Sequence, residues 1–232
     1  QRQMCIRDRF NSYLLRRKYN EPIAYILGFK YFWKYKFITN KSVLIPRPDT
    51  ELIVEECLKY LPNNKSKKIL DIGTGSGCII ISILKERSKC IATALDLSNR
   101  ALNVAKSNAK LHQLENKINF INIDIDKYNS CNYDLIISNP PYINNVDLSR
   151  LDNDIKFHEP KIALSGGFDG FRDIKKVIIK SKKLLKRNGK LIIEIGSKQR
   201  TQSIKILNEN GFYINKTSTD LSGKDRCIIS TK

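Results

Sequence analysis

From Lys67 onward, short apolar runs alternate with stretches whose apolar residues recur at helical spacing. The runs are "KKILDI", "CIATALD", "INFINID", "YDLIIS" and "GKLIIEIG", with helical stretches after most of them. Short apolar runs read as strands and the 3.6-residue period between them as helix. Strand and helix in alternation build a parallel sheet, because right-handed crossovers lay helices over both of its faces. The last stretch, "GFYINKTSTDLSGKDRCIISTK", breaks the alternation. It predicts two strands joined at a Ser222-Gly223 turn, and so an antiparallel pair at one edge.

Before Lys67 the pattern is different. Helical residues run to about Tyr19 and lead into "EPIAYILG"; the aromatic alternation of "FKYFWKYKFI" then predicts a hairpin. In "LIPRPDTELIVEECLKYL" two prolines end an extended segment, and Asp49 or Thr50 is placed to cap a helix carrying Leu52, Ile53 and Leu58. These elements read as an appendage to the core, with the boundary between residues 64 and 65. The prediction for the whole is an α/β fold: a doubly wound, mainly parallel seven-stranded sheet with an antiparallel C-terminal edge. Such a sheet resembles the class I (Rossmann-like) S-adenosylmethionine-dependent methyltransferase fold. Residues 65–232 would then be its catalytic domain, preceded in 1–64 by a short helix, a hairpin and a linker helix.

Composition narrows this picture. With 232 residues, 41% of them hydrophobic, the chain can bury a full core, most simply as one domain of about 150 to 200 residues with a small addition. No apolar run is long enough to cross a bilayer, and the opening "QRQMCIRDRF" carries charges where a secretory signal needs a hydrophobic stretch, so a cytoplasmic location is expected. The six cysteines (Cys5, Cys57, Cys78, Cys90, Cys131, Cys227) form no Cys-x-x-Cys pair, and His112 and His158 lie far apart; this argues against a zinc site or a disulfide framework. The formal charge of +19 attracts polyanions, which favours contact with nucleic acid, the ribosome or an acidic partner. Lys, Asn and Ile are abundant throughout, so the surplus does not locate one patch.

Candidate chemistry begins where the first strand enters "DIGTGSG", Asp71 to Gly77, followed by the apolar helix "CIIISILKE". Gly73, Gly75 and Gly77 let the backbone turn tightly and approach a ligand where a side chain would collide, with Thr74 and Ser76 between them. A dinucleotide fingerprint wants glycine at position 78, which is Cys78; the acidic-x-Gly-x-Gly-x-Gly spacing resembles an S-adenosylmethionine loop more closely. A plain strand-to-helix turn is the alternative. Asp96 ends the second strand at the carboxyl edge, placed to accept both ribose hydroxyl hydrogens or else to cap the helix starting near Ser98. Asp124 ends the third, placed to meet an adenine amino group while Ile125 covers the ring; Asp126 is a rival, and a solvated strand-end carboxylate is the alternative.

The fourth strand ends in "SNPPY". Neither Pro140 nor Pro141 has an amide hydrogen, and Pro141 pushes Pro140 toward extended backbone, so the Pro140 carbonyl is held outward with few local donors. The Asn139 side-chain oxygen is a second acceptor, and Tyr142 offers a flat face. Two fixed acceptors and a stacking surface suit a planar NH2 group, a primary amide or an exocyclic amine. Its nitrogen lone pair is delocalised, so catalysis consists of aiming that nitrogen at a sulfonium methyl and stabilising charge as it pyramidalises. An Asn-Pro turn closing a strand is the alternative.

The segments "EPIAYILG", "LIPRPDTE", "DIGTGSG", "LDLS", "SNPPYI", "EPKIALSGGFDG", "EIGSKQ" and "DLSGKDR", in this order, resemble the protein-(glutamine-N5) methyltransferases that modify peptide chain release factors. Asn-Pro-Pro-Tyr alone is shared with adenine-N6 enzymes acting on DNA or RNA; the other blocks make the match specific. The resemblance implies that Gly73 to Gly77, Asp96 and Asn139 contact S-adenosylmethionine. It also implies that Asn139, Pro140, Pro141 and Tyr142 hold the glutamine of the release factor Gly-Gly-Gln motif. An adenine-N6 enzyme should also carry a target-recognition insertion, and no sizeable one is present.

Other matching residues have simpler uses. Arg47 faces the site or is a solvated loop arginine; Asp49 and Glu51 read as helix-start charges. Glu159-Pro160 and Gly166-Gly167 shape a lid or a plain connection. Glu194, Gly196 and Gln199 read as packing and helix capping, and "LSGKDR" as a hairpin turn. At the front, the resemblance implies a sizeable helical docking domain, of which only some twenty residues precede Glu21. The opening "QRQMCIRDR" fits no family segment, and the expectation is that these residues are foreign to the gene.

Overall fold

A computed structural model describes residues 2–232, with side chains from Ile6 onward. Gln1 and the side chains of residues 2–5, Cys5 included, belong to the opening segment read as foreign and lie outside the described residues. Helices α1 (Arg2–Lys18) and α2 (Ile23–Leu27) lead into a two-stranded hairpin, β1 (Phe29–Phe32) and β2 (Tyr35–Ile38). Helix α3 (Glu51–Tyr60) follows. The main sheet begins with β3 (Lys68–Ile72), α4 (Cys78–Glu86), β4 (Ile91–Asp96), α5 (Asn99–Leu111), β5 (Ile118–Asn122) and β6 (Tyr133–Ser138). Short helices α6 (Asn145–Ser149) and α7 (Asn153–His158) precede α8 (Arg172–Leu184), β7 (Leu185–Glu194), α9 (Arg200–Glu209), β8 (Tyr213–Thr219) and β9 (Asp225–Thr231).

The seven strands lie in the order β5-β4-β3-β6-β7-β9-β8. The first five are parallel neighbours, and β9 runs antiparallel to β7 and to β8. Strand order reverses between β3 and β6. Ile72 pairs with Ser138 there, so Gly73 and Asn139 leave the sheet side by side. At such a point the two following connections diverge to opposite faces and open a crevice.

Alternation along the central strands divides the core. Ile69, Leu135, Ile137 and Ile192 point into one cluster, and Leu70, Ile136, Leu191 and Ile193 into the other. Helices α8 and α9 cover the second cluster through Ile174, Val177, Ile178, Ile206 and Leu207. The first is covered by α4, by Ile53, Val54 and Cys57 of α3, and by Phe32 and Phe37 of the hairpin. Phe32 is 1% and Phe37 0% exposed, so the hairpin is an appendage in chain order but part of the core in packing. Glu51 and Glu86 anchor its turn, accepting bonds from the Trp33 backbone (2.8 Å) and indole (3.1 Å).

The start of α3 departs from the expected capping. Neither Asp49 nor Thr50 makes an N-cap bond; Pro48–Thr50 form a 3-10 turn running straight into the helix. The C-terminal turn does use Gly223, at φ +74°, and Asp220 organises it by accepting from the backbone of Ser222 and Lys224, each at 2.9 Å. Among the described residues no helix is long and apolar enough to cross a membrane, and no group of three or more His, Cys, Asp or Glu side chains could hold a metal.

Candidate active site

A cavity of about 610 Å³ occupies the crevice at the carboxyl ends of β3, β4, β5 and β6. Gly73, Thr74, Gly75 and Ser76 form its floor, with Asp96, Asp124, Asn139, Pro140 and Pro141 along the strand ends. Gly73 (φ +74°) and Gly75 (φ +57°) take the left-handed backbone that only glycine adopts cheaply, and a Cβ on either would meet nothing within 4 Å. Their missing side chains leave that volume to the cavity.

Gly77 behaves differently. It does not line the cavity; a Cβ there would lie 3.0 Å from Ile81 Cδ1 and 3.3 Å from Ala105 Cβ, between α4 and α5. Its glycine serves the turn, at φ +79°, and helix packing. Beneath the loop, Asp71 is fully buried and accepts from the Thr74 hydroxyl at 2.7 Å, while its Oδ1 has no partner. Burial pushes this carboxyl up to about 7 against the opposing Thr74 bond.

Asp96 straps the loop in place. Its Oδ2 accepts from Gly75 N at 2.9 Å and its Oδ1 from Ser98 N at 2.8 Å, while Ser98 itself caps α5 through Ala101 N. Burial raises the Asp96 pKa despite those two bonds. Each carboxylate oxygen is engaged by one donor and retains capacity to accept another, and Asp96 lines the cavity. Asp124 lines the cavity between Ile123 and Ile125. Its rival Asp126 is outside the lining and pairs with Lys176 at 2.8 Å.

At the end of β6, Ser138 Oγ donates to Ile72 O at 2.8 Å, fastening the acceptor loop to the strand that carries the glycines. Asn139 Nδ2 donates to Thr50 Oγ1 at 3.1 Å. Among the described residues, no donor reaches Asn139 Oδ1 or the Pro140 carbonyl oxygen, although both residues line the cavity. Tyr142 is placed elsewhere than the sequence suggests. Its hydroxyl donates to Glu194 Oε1 at 3.2 Å, its ring packs on the second core cluster, and it does not line the cavity. The buried Glu194 carboxyl needs a donor, and meeting that need turns the ring away from the cavity.

Tertiary packing braces this loop from behind. Ile143 N donates to Leu164 O (3.0 Å) and Gly166 N to Ile143 O (2.9 Å). Gln199 Nε2 donates to the carbonyls of Tyr142 and Gly170, each at 3.1 Å, while its Oε1 accepts from Gly196 N. Gln199 is therefore a clamp between loops; it stands at the start of α9 but its side chain makes no cap bond to that helix, contrary to the capping expected of it.

The mouth is built by residues that local sequence reading left open. Arg47 forms an ion pair with Glu159, whose side chain is 1% exposed and also accepts from Ile45 N at 3.1 Å. This pair brings Leu44, Pro46 and Arg47 over the cavity opposite Pro160, Ile162 and Ala163. Asp49, expected as a helix-start charge or cap, pairs with Arg226 at 3.1 Å, which also binds Asp220. Thr50 is the neighbour of Asn139 that the sequence gave no reason to choose, since its cap-like position suggested a local partner.

The cavity volume falls within the range of about 300 to 1,000 Å³ typical of small-molecule sites. Side-chain-free glycines, paired strand-end carboxylates and an apolar slot at Ile123 and Ile125 fit an adenosine-bearing cofactor. Fold and site together are those of a class I S-adenosylmethionine-dependent methyltransferase. The profile of the Methyltransferase small domain matches residues 50–154. A release factor glutamine methyltransferase of Caulobacter vibrioides is 37% identical over 223 residues, covering 96% of this chain and 77% of that protein. This chain belongs to the release factor glutamine methyltransferase family.

A bifunctional methyltransferase of Rickettsia bellii is 39% identical over 242 residues, 93% of this chain; the chain spans 44% of that protein's length. Among solved structures, a methyltransferase from Pyrococcus furiosus superposes with a TM-score of 0.64 at 18% identity, over 94% of this chain and 97% of that one. A ribosomal protein L11 methylase from Lactobacillus delbrueckii gives 0.60 at 20% identity, over 80% of each chain. These likenesses support the fold.

Proposed function

We propose that this chain transfers a methyl group from S-adenosylmethionine to the side-chain amide nitrogen of a glutamine in a protein, the Gly-Gly-Gln motif of class I peptide chain release factors. The observation that carries this reading is the pair of unengaged acceptors, Asn139 Oδ1 and Pro140 O, on the same cavity as the glycine loop. The family names of the relatives support the amide, and the release factor, over an adenine.

When bound, S-adenosylmethionine supplies an electrophilic methyl carbon on a sulfonium. Gly73, Thr74, Gly75 and Ser76 would hold its amino-acid end, Asp96 its ribose hydroxyls, and Asp124 with Ile125 its adenine. Asn139 and Pro140 each accept one hydrogen of the substrate NH2, so the nitrogen is held with its lone pair toward the methyl carbon. As that nitrogen becomes cationic, both acceptors strengthen their hold, which lowers the barrier electrostatically. The acidified N–H proton sits at Asn139 Oδ1 and passes to water, so no strong base is required. Pro141 stiffens the loop, and Tyr142 acts from behind it. We assign residues 65–232 as the catalytic domain and residues 1–64 as the segment that covers one core face and closes the cavity mouth. A cytoplasmic location accords with this substrate, and the charge of +19 is suited to ribosome-associated partners.

The test is transfer of labelled methyl to three acceptors: an intact release factor, the same factor with the motif glutamine replaced, and adenine-containing oligonucleotides. Label in the first alone is expected; label in the oligonucleotides instead would overturn the assignment. Asn139→Ala is expected to stay folded and lose turnover at least a hundredfold, the scale of removing one transition-state acceptor.

A further inference from the structure

The amino edge of the main sheet, opposite the cavity, collects positive charge that the reaction does not use. Lys117, Lys89 and Lys67 stand at the entries to β5, β4 and β3, and the start of β7 supplies Lys186 and Arg187. Where β3, β6 and β7 enter the sheet, a notch of about 240 Å³ is lined by Lys67, Lys186, Arg187 and Lys190, four cationic side chains against one carboxylate, Asp134. The notch owes its shape to β7. Tyr133 pairs with Leu185 while Leu135 already pairs with Lys190, so the ladder slips and Lys186 to Gly189 bulge out of it. Asn188 turns there at φ +61°, and a Cβ on Gly189 would lie 3.0 Å from Lys186 O and 3.2 Å from Tyr133 O.

These charges are only partly neutralised within the fold. Asp134 accepts from Lys68 N at 2.9 Å and pairs with Lys67 (3.2 Å) and Lys186 (3.0 Å), so a single carboxylate holds two ammonium groups side by side. Lys190 donates to neutral acceptors, Thr231 Oγ1 (2.9 Å) and Asn215 Oδ1 (3.3 Å), with its Nζ 4.6 Å from the Tyr60 ring centroid. Arg187 is exposed and makes no ion pair among the described residues. Lys89 and Lys117 donate to the backbone carbonyls of Asn64 and Ser88, which carry no charge. Like charges gathered this closely repel one another, and a bound anion relieves the repulsion.

The layout selects the partner. Neighbouring strands lie about 4.8 Å apart, so the five parallel neighbours from β5 to β7 spread the cations over roughly 19 Å. A line of that length fits a polymer of regularly spaced phosphates better than one small anion. An acidic protein would need an apolar centre, and the leucines of the notch, Leu61 and Leu135, are buried. Asn188 lines the notch with no side-chain partner among the described residues, and its amide can both donate to and accept from a 2′-hydroxyl, which DNA lacks. We propose that the amino edge of the sheet, from Lys117 to Lys190, is a docking track for the phosphate backbone of RNA. Asp96 and Asp124 stand at the carboxyl edge, so the polyanion is kept to the back of the sheet and the cavity stays open. The inference is independent of the function proposed above.

The experiment follows binding of a labelled single-stranded RNA of about 12 nucleotides by fluorescence anisotropy over a range of salt, with unlabelled RNA, DNA of the same sequence, polyglutamate and inorganic phosphate as competitors. Lys186→Ala/Arg187→Ala and, separately, Lys89→Ala are compared with Lys106→Ala/Lys205→Ala, which removes the same charge as the first pair from exposed positions on α5 and α9. The slope of log affinity against log salt should drop by about 1.4 in the first pair and about 0.7 in Lys89→Ala, and stay near the parent's in the control pair. Near about 0.1 M salt the first pair should lose at least about tenfold in affinity and the control about twofold or less. All variants should keep the parent's affinity for S-adenosylmethionine, which reports that they are folded. A parent that binds no RNA, equal losses in the test and control pairs, or a Lys89→Ala slope equal to the parent's would overturn the track. DNA or polyglutamate competing as well as unlabelled RNA, or inorganic phosphate displacing it at equal ionic strength, would overturn RNA as the partner.

Discussion

Gly166→Ala isolates the bracing of the acceptor loop. The backbone at Gly166 lies outside the left-handed region, so alanine there meets no φ penalty and the added carbon acts by size alone. That carbon would lie 2.7 Å from Gly170 O, 2.8 Å from Pro141 O and 2.8 Å from Tyr142 Cα, all backbone atoms. Ordinary contact begins near 3.4 Å, so each of the three walls must give by roughly 0.6 Å, and none can do so by swinging a side chain. Overpacking of this kind costs about 1 to 3 kcal/mol of stability. Two of the three walls belong to the acceptor loop, so part of the displacement reaches Pro140 and Asn139. A shift of that size in a positioning group lowers kcat by about ten- to a hundredfold. The assay pairs urea unfolding with steady-state methyl transfer on a release factor. Gly28→Ala is the control, since at φ +80° with nothing within 4 Å it bears backbone strain without a clash and lies far from the loop in sequence. Gly166→Ala with parent stability and parent kcat would refute the bracing argument. A loss of stability with kcat unchanged would show that the loop is held independently of the Gly166 turn.

Arg47→Ala should destabilise the protein by about 3 kcal/mol, because it leaves a buried Glu159 carboxylate with a single backbone donor. Glu159→Gln should cost less, and denaturant curves showing the reverse order would contradict the assigned pair. Gly77→Ala should lower stability by about 1 to 3 kcal/mol through strain and helix crowding, leaving cofactor affinity of the folded protein nearly unchanged. Gly75→Ala should weaken that affinity at least tenfold, since its Cβ enters open cavity; calorimetric titrations that fail to separate the two glycines would sink this distinction. Asp71 and Glu194 both carry carboxyls that burial raises to about 7. The folded chain therefore keeps protons there that the unfolded chain has released. Their stabilisation is full below the unfolded pKa of about 4 and is lost as pH rises toward 7, by up to about 4 kcal/mol per group. Unfolding free energy should fall between about pH 4 and pH 7, with a shallower slope in Glu194→Gln; equal slopes would contradict the raised Glu194 carboxyl.

The legible parts of the site share a physical property: their signal is local. A glycine at 73 or 75 announces a backbone that must turn beside open space, and the proline pair announces a carbonyl without a local donor, whatever the rest of the chain does. The placement of Asp96 and Asp124 at the cavity edge was readable because a strand-end carboxylate in a parallel sheet has a determined edge. Tyr142 was misread because an aromatic ring can face either side of its loop. The choice was made by Glu194, fifty-two positions away in sequence, which requires a donor. Gly77 was read as a third ligand-facing glycine because spacing cannot distinguish a Cβ excluded by a ligand from one excluded by Ala105.

Alternating apolar runs and helical periods, by themselves, determined the doubly wound sheet and its antiparallel edge, because burial on both faces demands that pattern and little else satisfies it. They also determined which strand ends carry glycines, carboxylates and prolines. Only the tertiary structure decided that the hairpin completes the core, that Arg47 closes on Glu159, and that Thr50 meets Asn139 in place of a helix end. Those outcomes depend on which unmet charges, hydrogen-bonding groups and apolar surfaces the fold brings within reach. Residues far apart in the chain compete for the same buried partners, and that competition is settled only in three dimensions.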